Sequence, residues 1–246
     1  MTRGLYLLFA LVAYVVFFAT FLYLIGFVGN LPGLPRTVDR GPPSDVAAAL
    51  VVNTALVLLF GLQHSVMARQ GFKRAWTRIV PEPIERSLYV LLASLALILL
   101  FLFWRPLPTE VWRVENAAGA AILWALFGGG WLIVLLSTFL LNHFELFGLQ
   151  QVYLHARGRV AAPPRMRTPL FYKAVRHPLY AGFFLAFWAT PVMSQGHLLL
   201  AVGMSAYMLI AIRYEERDLV GLFGADYEAY RRNVGMLAPR FRRRRI

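Results

Sequence analysis

Long apolar runs that contain no charged side chain dominate the sequence. Five such runs cover residues 4–35, 46–68, 87–104, 116–144 and 177–212. A helix needs about 20 consecutive apolar residues to cross the hydrocarbon core of a bilayer. Each of the first four runs therefore predicts one transmembrane helix. These helices are expected near residues 5–28, 46–67, 86–104 and 117–141.

The fifth run is too long for one helix and short for two. Pro191 and the polar residues 194–197 interrupt it in the middle. The pattern predicts a helical hairpin with arms over 179–193 and 198–212, of which the second continues beyond the membrane. The expected fold class is all-α: a polytopic integral membrane protein with four transmembrane helices and a C-terminal transmembrane helical hairpin. No convincing strand is present, and the glycines at 128–130 indicate close helix packing rather than a phosphate loop.

Composition supports a membrane protein and excludes several other classes. Hydrophobic residues make up 59% of the 246 residues and charged residues only 15%, whereas a soluble domain carries about a quarter charged residues. The absence of cysteine excludes disulfides, thiol nucleophiles and cysteine–metal sites. No metal site is predicted, because the five histidines are scattered. In a soluble protein, the net charge of +13 would suggest a nucleic-acid partner, but none is expected here because of where the charges lie.

The basic residues are divided unevenly between the two sides of the predicted membrane domain. Of the 25 Lys and Arg residues, 21 fall at the N-terminus, in loops 68–86 and 142–177, and in the tail 213–246. By the positive-inside rule, both termini and these loops are expected in the cytoplasm, at the inner membrane if the source is bacterial. The expected partition is a membrane-embedded domain over 1–212 and a basic cytoplasmic helix and tail over 213–246. The arginines at 242–245 are expected among anionic headgroups.

Polar residues are concentrated at the predicted cytoplasmic helix ends. Ionisable residues near membrane spans are candidates for function, and elements at one membrane depth are expected to meet in one chamber. Simpler roles compete with function, since a lone histidine can bond a helix-terminal carbonyl. Adjacent glutamates on a helix point about 100° apart, so at most one of them readily faces a given site. The groups are Gln63, His64 and Ser65; Glu85, Arg86 and Ser87; Asn142, His143 and Glu145; and Arg176, His177, Glu215 and Glu216.

Motifs in the last seventy residues resemble those of a known superfamily. The sequence reads RHPLYAG at 176–182, EERDL at 215–219 and FGADYEAY at 223–230. This resembles the pattern of integral-membrane methyltransferases, among them isoprenylcysteine carboxyl methyltransferase and the phospholipid N-methyltransferases. Further segments at 26–30, 63–69, 83–90 and 142–151 resemble the methanethiol S-methyltransferase family, which is related to the NnrU-like proteins.

The resemblance implies an S-adenosylmethionine-dependent enzyme that methylates methanethiol, or another small thiol or sulfide, and so belongs to sulfur metabolism. The product is then dimethyl sulfide. The cofactor is expected in a cytoplasmic pocket between the hairpin and the preceding cytoplasmic segment, where Arg176 suits its carboxylate and a glutamate suits its amino group or ribose. The residues expected to bind the cofactor are Gln151, Arg176, His177, Pro178, Tyr180, Glu215 and Glu216.

The acceptor chemistry requires help with ionisation, because the thiolate and not the thiol is the nucleophile. His64, His143 and Glu145 are the candidates for removing the thiol proton. Arg86 is the candidate for stabilising the thiolate, which then attacks the sulfonium methyl carbon in line.

Three alternatives stay open at this point. In the first, the acceptor is a prenylcysteine or a phospholipid rather than a small thiol. In the second, the protein is an NADPH-dependent membrane reductase, since sterol and enone reductases carry a similar R-H-x-x-Y-x-G pattern. In the third, it is a membrane assembly factor without enzymatic activity. The sequence does not determine the oligomeric state.

Overall fold

The computed structural model describes residues 2–161, 163 and 165–240. Over these residues the chain forms ten α-helices, one 3-10 turn and two short strands. In chain order they are α1 (Thr2–Val28), α2 (Val46–Met67), α3 (Gln70–Trp76), α4 (Glu82–Phe103), β1 (Glu110–Arg113), α5 (Ala117–Leu141), α6 (His143–Leu146), α7 (Leu149–Ala156), the 3-10 turn (Leu170–Lys173), α8 (Pro178–Trp188), β2 (Val192–Ser194), α9 (Gln195–Phe223) and α10 (Ala225–Asn233). The arginines at 242–245 lie outside the described residues.

Five of the described helices are long and apolar enough to cross a membrane, namely α1, α2, α4, α5 and α9. This confirms the predicted all-α, polytopic membrane fold. The bounds of α2 and α5 agree with the prediction at both ends. The side chains of Asp45 and Asn116 cap the N-termini of these two helices by accepting from the backbone N–H groups of Ala48 and Gly119.

The helix that precedes α9 is shorter than predicted. α8 has 11 residues and ends at Trp188, so at 1.5 Å per residue it is about 16 Å long, roughly half the hydrocarbon thickness. Residues 189–191 are not helical, and β2 follows them. α9 begins at Gln195, three residues before the prediction, and continues without a break to Phe223. The partition predicted at residue 212 therefore falls within a continuous helix, and the point at which this helix leaves the membrane stays a prediction.

The two strands correct the prediction that the chain has none. β1 and β2 pair antiparallel, with Glu110 opposite Ser194 and Arg113 opposite Val192. Strands of four and three residues are too short for alternation of polar and apolar positions to show in the sequence. Only the pairing between distant segments reveals them.

The chain forms two compact units. The first contains the described residues of 1–114, 143–162 and 191–204, and the second contains those of 115–142, 163–190 and 205–246. In the first unit, α4 packs against α1 and α2, and α7 lies against α1 and α4. In the second unit, α5 packs along α8.

A polar network closes one end of the first unit. Trp104, which is buried, donates its indole N–H to the carbonyl of Val38 at 3.0 Å. Asp39 accepts hydrogen bonds from the Ser194 hydroxyl and from the amide of Asn30. The network ties the loop after α1 to β2, and through them to the end of α4. It provides partners for polar groups that burial would otherwise leave unsatisfied.

Close packing between α5 and α8 depends on two glycines. A Cβ atom at Gly130 would lie 2.7 Å from the carbonyl oxygen of Gly182 and from the backbone nitrogen of Ala186. A Cβ atom at Gly182 would lie 2.7 Å from the carbonyl oxygen of Gly130. The packing role predicted for the glycines at 128–130 is therefore confirmed at Gly130, whereas Gly128 and Gly129 have nothing within 4 Å of an added Cβ.

We expect Gly130→Ala to destabilise the protein by about 1–3 kcal/mol, because the added methyl group forces two backbones apart. Gly129→Ala is the matched control, since it adds the same methyl group on the same helix where space is open. Thermal unfolding of the detergent-solubilised variants measures the difference. Equal unfolding temperatures for the two variants would contradict the close contact between α5 and α8.

Candidate functional site in two polar clusters

The first cluster, in the first unit, forms where the turn between α6 and α7 meets the start of α4. Gly148 in this turn has φ +86°, and a Cβ atom there would lie 2.5 Å from the Ser87 hydroxyl oxygen. Only glycine combines this backbone conformation with so close an approach. The Ser87 hydroxyl donates to the Gly148 carbonyl at 3.2 Å, and Arg86 Nε donates to the Leu146 carbonyl at 2.7 Å. The turn is therefore held against α4.

Arg86 and His64 both contact one aromatic ring. The guanidinium carbon of Arg86 is 4.9 Å from the ring centroid of Tyr89, and the imidazole centroid of His64 is 5.0 Å from the same ring. Tyr89 is buried, and Phe147 packs against the core that it forms. The structure thus brings together two of the residues predicted to act on the acceptor, although they lie on different helices.

His143 is the third residue predicted to act on the thiol, and it has a partner that the sequence did not predict. The hydroxyl of Tyr14 lies 2.8 Å from Nε2 of His143. The Phe147 ring is 4.8 Å from the His143 ring and 4.0 Å from the Phe17 ring. His143 is only 4% exposed, and burial lowers its pKa from the ordinary value. Its imidazole is therefore neutral at pH 7 and can accept a proton.

The segment 143–156 runs along the N-terminal half of α1. Tyr14 contacts His143, the ring of Tyr6 is 5.8 Å from that of His155, and Arg3 donates to the carbonyl of Ala156 at 3.4 Å. From Arg3 to Tyr14 the helix rises about 16 Å. His143 was expected near the end of a span, and it follows α5, which ends at Leu141. It also lies beside Tyr14, near the middle of the 27-residue helix α1.

The side chain of Gln151 in α7 binds the backbone of Glu145 in α6. The Gln151 amide donates to the Glu145 carbonyl at 3.0 Å. The residue Glu145 is exposed and lies on the same short helix as His143. Gln151 belongs to the first unit, whereas the other residues expected to bind the cofactor belong to the second. Its predicted role in cofactor binding stays a prediction.

The second cluster, in the second unit, is built around Glu216. Arg176 Nε donates to Glu216 Oε1 at 2.8 Å, and His177 Nε2 lies 3.1 Å from the same oxygen. Arg176 also donates to the carbonyls of Arg231 and Val234. Arg176 and His177 are both buried. The guanidinium that was expected to bind a cofactor carboxylate is thus already bonded to internal acceptors.

Backbone pairing fixes the two buried side chains. The N–H of Arg176 donates to the carbonyl of Gly235 at 2.8 Å, and the N–H of His177 donates to that of Met236 at 3.1 Å. The RHP segment is therefore paired with the chain that follows α10. Pro178, also buried, then begins α8, and the ring of Tyr180 lies 5.8 Å from that of His177.

The two neighbouring glutamates differ, as the helix geometry requires. The side chain of Glu216 is 13% exposed and that of Glu215 is 45% exposed. Glu215 Oε1 lies 3.9 Å from His177 Nδ1, so this glutamate lies at the exposed edge of the cluster. Glu216 is the member of the pair that bonds to Arg176.

A cleft of about 370 Å³ adjoins Glu216 in the second unit. Besides this carboxylate, its walls carry three guanidinium groups, so the cleft is strongly cationic. Nothing in the sequence distinguished these arginines from the other basic residues of the tail. The lining residues are Arg213, Glu216, Arg217, Val220 and Arg231.

Two tyrosines of the FGADYEAY segment also lie near this cluster. Burial, together with the neighbouring Glu216 and Glu215 charges, raises the pKa of Tyr227, and burial raises the pKa of Tyr230 to about 12. Both phenols are therefore protonated at neutral pH. The Tyr230 hydroxyl donates to the carbonyl of Tyr172. The motif contained these tyrosines, but the sequence predicted no role for them.

The fold and the clusters define the class: a helical, polytopic integral membrane protein with polar sites attached to its spans. The chain is 54% identical to methanethiol S-methyltransferase 1 of Bradyrhizobium diazoefficiens over 94% of its own length and 81% of that protein. It is 53% identical to methanethiol S-methyltransferase of Mycobacterium tuberculosis over 97% of its length and 98% of that protein. The chain belongs to the methanethiol S-methyltransferase family, which confirms the resemblance seen in its motifs.

The chain also has more distant relatives that carry another name. The chain is 28% identical to nurim of Bos taurus over 85% of its length and 87% of that protein. No protein-family model matches the chain, and no solved structure matches it.

Proposed function

We propose that the protein transfers a methyl group from S-adenosylmethionine to methanethiol. The products are dimethyl sulfide, S-adenosylhomocysteine and a proton. The observation that carries this proposal is the identity of 54% and 53%, over nearly the whole chain, to proteins named for methanethiol methylation. The two clusters supply chemistry suited to the two substrates.

The residues proposed to bind the methyl donor belong to the second unit. S-adenosylmethionine carries a carboxylate and an ammonium group, and these match the arginines and the glutamate of the cleft. Arg213, Arg217 and Arg231 bind the carboxylate in this proposal, and Glu216 binds the ammonium group. Arg176 and His177 then act by holding Glu216 in place, since both contact its Oε1 atom.

The remaining residues proposed to bind S-adenosylmethionine are the following. Pro178 and Tyr180 stand at the start of α8, next to His177. Glu215, half exposed, is suited to the ribose hydroxyls. Gln151 is retained as a cofactor residue on the basis of the sequence motif.

The residues proposed to act on the methyl acceptor, methanethiol, belong to the first unit. His64, Arg86 and His143 contact aromatic rings there, and a ring-lined site suits a small apolar thiol. Arg86 stabilises the thiolate in this proposal, His64 and His143 accept its proton, and exposed Glu145 passes the proton to solvent. When the thiolate attacks, a new sulfur–methyl bond forms as the sulfonium–methyl bond breaks, and the two charges cancel.

Synthesis of dimethyl sulfide tests the proposal directly. Purified protein in detergent or nanodiscs, given S-adenosylmethionine and methanethiol, is expected to release dimethyl sulfide that gas chromatography detects. Prenylcysteine and phospholipid acceptors in parallel reactions, and calorimetric titration with NADPH, serve as comparisons. Methylation of a comparison acceptor without any methylated thiol would contradict the proposal, as would binding of NADPH in place of S-adenosylmethionine.

We expect both termini and the basic loops to face the cytoplasm. The chain has no cysteine, so single cysteines report the side of the membrane without background. Gly71→Cys and Ala174→Cys, at exposed positions, should react with a membrane-impermeant maleimide only after the cells are opened. Glu115→Cys should react in intact cells. Labelling of Gly71→Cys and Ala174→Cys from opposite sides would contradict the predicted topology.

A further inference from the structure

We infer that Tyr14 is a further catalytic residue, which passes the proton of the bound thiol to His143. This inference rests on the proposed function and adds to it a residue that no sequence motif indicated. The geometry that supports it is the separation of 2.8 Å between the Tyr14 hydroxyl and His143 Nε2.

The apolar surroundings of the pair argue for a functional role. Tyr14 lies near the middle of the 27-residue helix α1, and its ring contacts Phe17, Phe18 and Phe147. In such apolar surroundings an unpaired hydroxyl or imidazole would be costly. Apolar residues at positions 14 and 143 would avoid that cost altogether. Ionisable groups that persist within a membrane domain are candidates for function.

Access to the two members of the pair differs. His143 is almost completely buried, whereas Tyr14 keeps part of its surface exposed. A thiol that dissolves in the bilayer can therefore reach Tyr14 more easily than His143. The tyrosine hydroxyl both donates and accepts hydrogen bonds, so it can connect the thiol to the histidine.

The proton transfer balances in two bonds. The thiol S–H proton moves to the Tyr14 oxygen while the Tyr14 O–H proton moves to His143 Nε2. The result is a thiolate, a neutral tyrosine and an imidazolium ion. The thiolate takes the methyl group of S-adenosylmethionine, and the imidazolium then releases its proton to solvent. Arg86, whose Nε is bonded to the carbonyl of Leu146, is the nearby cation that favours the thiolate.

The test is Tyr14→Phe, which keeps the aromatic ring and removes only the hydroxyl. We expect kcat for methanethiol to fall about 100-fold at pH 7, with an unchanged Kd for S-adenosylmethionine. Wild type and variant should converge as the pH rises toward the pKa of the thiol, because the substrate then ionises without help. Tyr23→Phe is the control on the same helix, since the Tyr23 hydroxyl donates to the Arg36 carbonyl and should be dispensable for turnover.

A second variant keeps the inference open to refutation if Tyr14→Phe folds poorly. His143→Gln retains an acceptor for the Tyr14 hydroxyl but cannot take up a proton, so the same loss and the same convergence at high pH are expected. The elements around His143 carry further titratable groups: Arg3, Tyr6 and Tyr23 on α1, Glu82, Glu85, Arg86 and Tyr89 on α4, Glu145 on α6, and Tyr153 and His155 on α7. An equal loss at every pH, or no loss at all, would overturn the inference. Absence of dimethyl sulfide with the wild-type protein would overturn the proposed function itself.

Discussion

Replacing Glu216 by glutamine is expected to weaken S-adenosylmethionine binding at least about 10-fold and to lower the stability of the fold. Glu216 is the counter-charge of Arg176, which is buried and bonded to it through two nitrogens. Removing one partner of a buried ion pair leaves the other charge uncompensated, at a cost of about 3 kcal/mol or more. The same substitution removes the carboxylate that we propose for the ammonium group of the donor.

Calorimetric titration with S-adenosylmethionine and thermal unfolding measure the two effects of Glu216→Gln. Glu215→Gln is the matched control, because it makes the same chemical change at a half-exposed neighbour whose nearest contact to His177 is 3.9 Å. It should unfold at nearly the wild-type temperature and weaken donor binding less. Wild-type donor affinity in both variants would remove the glutamates from the proposed donor site.

Replacing Arg86 by alanine is expected to reduce kcat about 100-fold or more, as the loss of one charge-stabilising donor does in other enzymes. Two observations support this proposed role: the Nε bond of Arg86 to the Leu146 carbonyl and the position of its guanidinium over the Tyr89 ring. Without its charge the thiolate is less stable, so the rise of kcat/KM with pH should shift to higher pH. Donor affinity should change little, because the proposed donor groups lie in the second unit.

Steady-state kinetics across a pH series measure the effect of Arg86→Ala. Arg86→Lys separates charge from geometry, since a lysine keeps the charge but not the planar guanidinium over Tyr89. Arg74→Ala removes an exposed arginine from α3 and should leave turnover unchanged. If Arg86→Ala retains wild-type kcat and pH dependence, the proposed stabilisation of the thiolate is wrong.

Part of the candidate site was predictable and part was not. The RHP and EE motifs identified Arg176, His177 and Glu216, and the structure brings these three together. The pairing of Tyr14 with His143 spans 129 positions in the chain, and no local pattern encodes it. A tyrosine in the middle of an apolar helix was the available signal, since its hydroxyl must find a partner away from water.

The amino-acid sequence alone determined the class, the family and the bounds of α2 and α5, because short motifs identify the family and charge-free length decides how far a membrane helix extends. The tertiary structure alone decided that α8 stops at Trp188, that β1 pairs with β2, and that internal acceptors already occupy the Arg176 guanidinium. These features depend on contacts between segments far apart in the chain. Hydrophobic periodicity reports only on neighbours within a few turns, so it cannot reveal them.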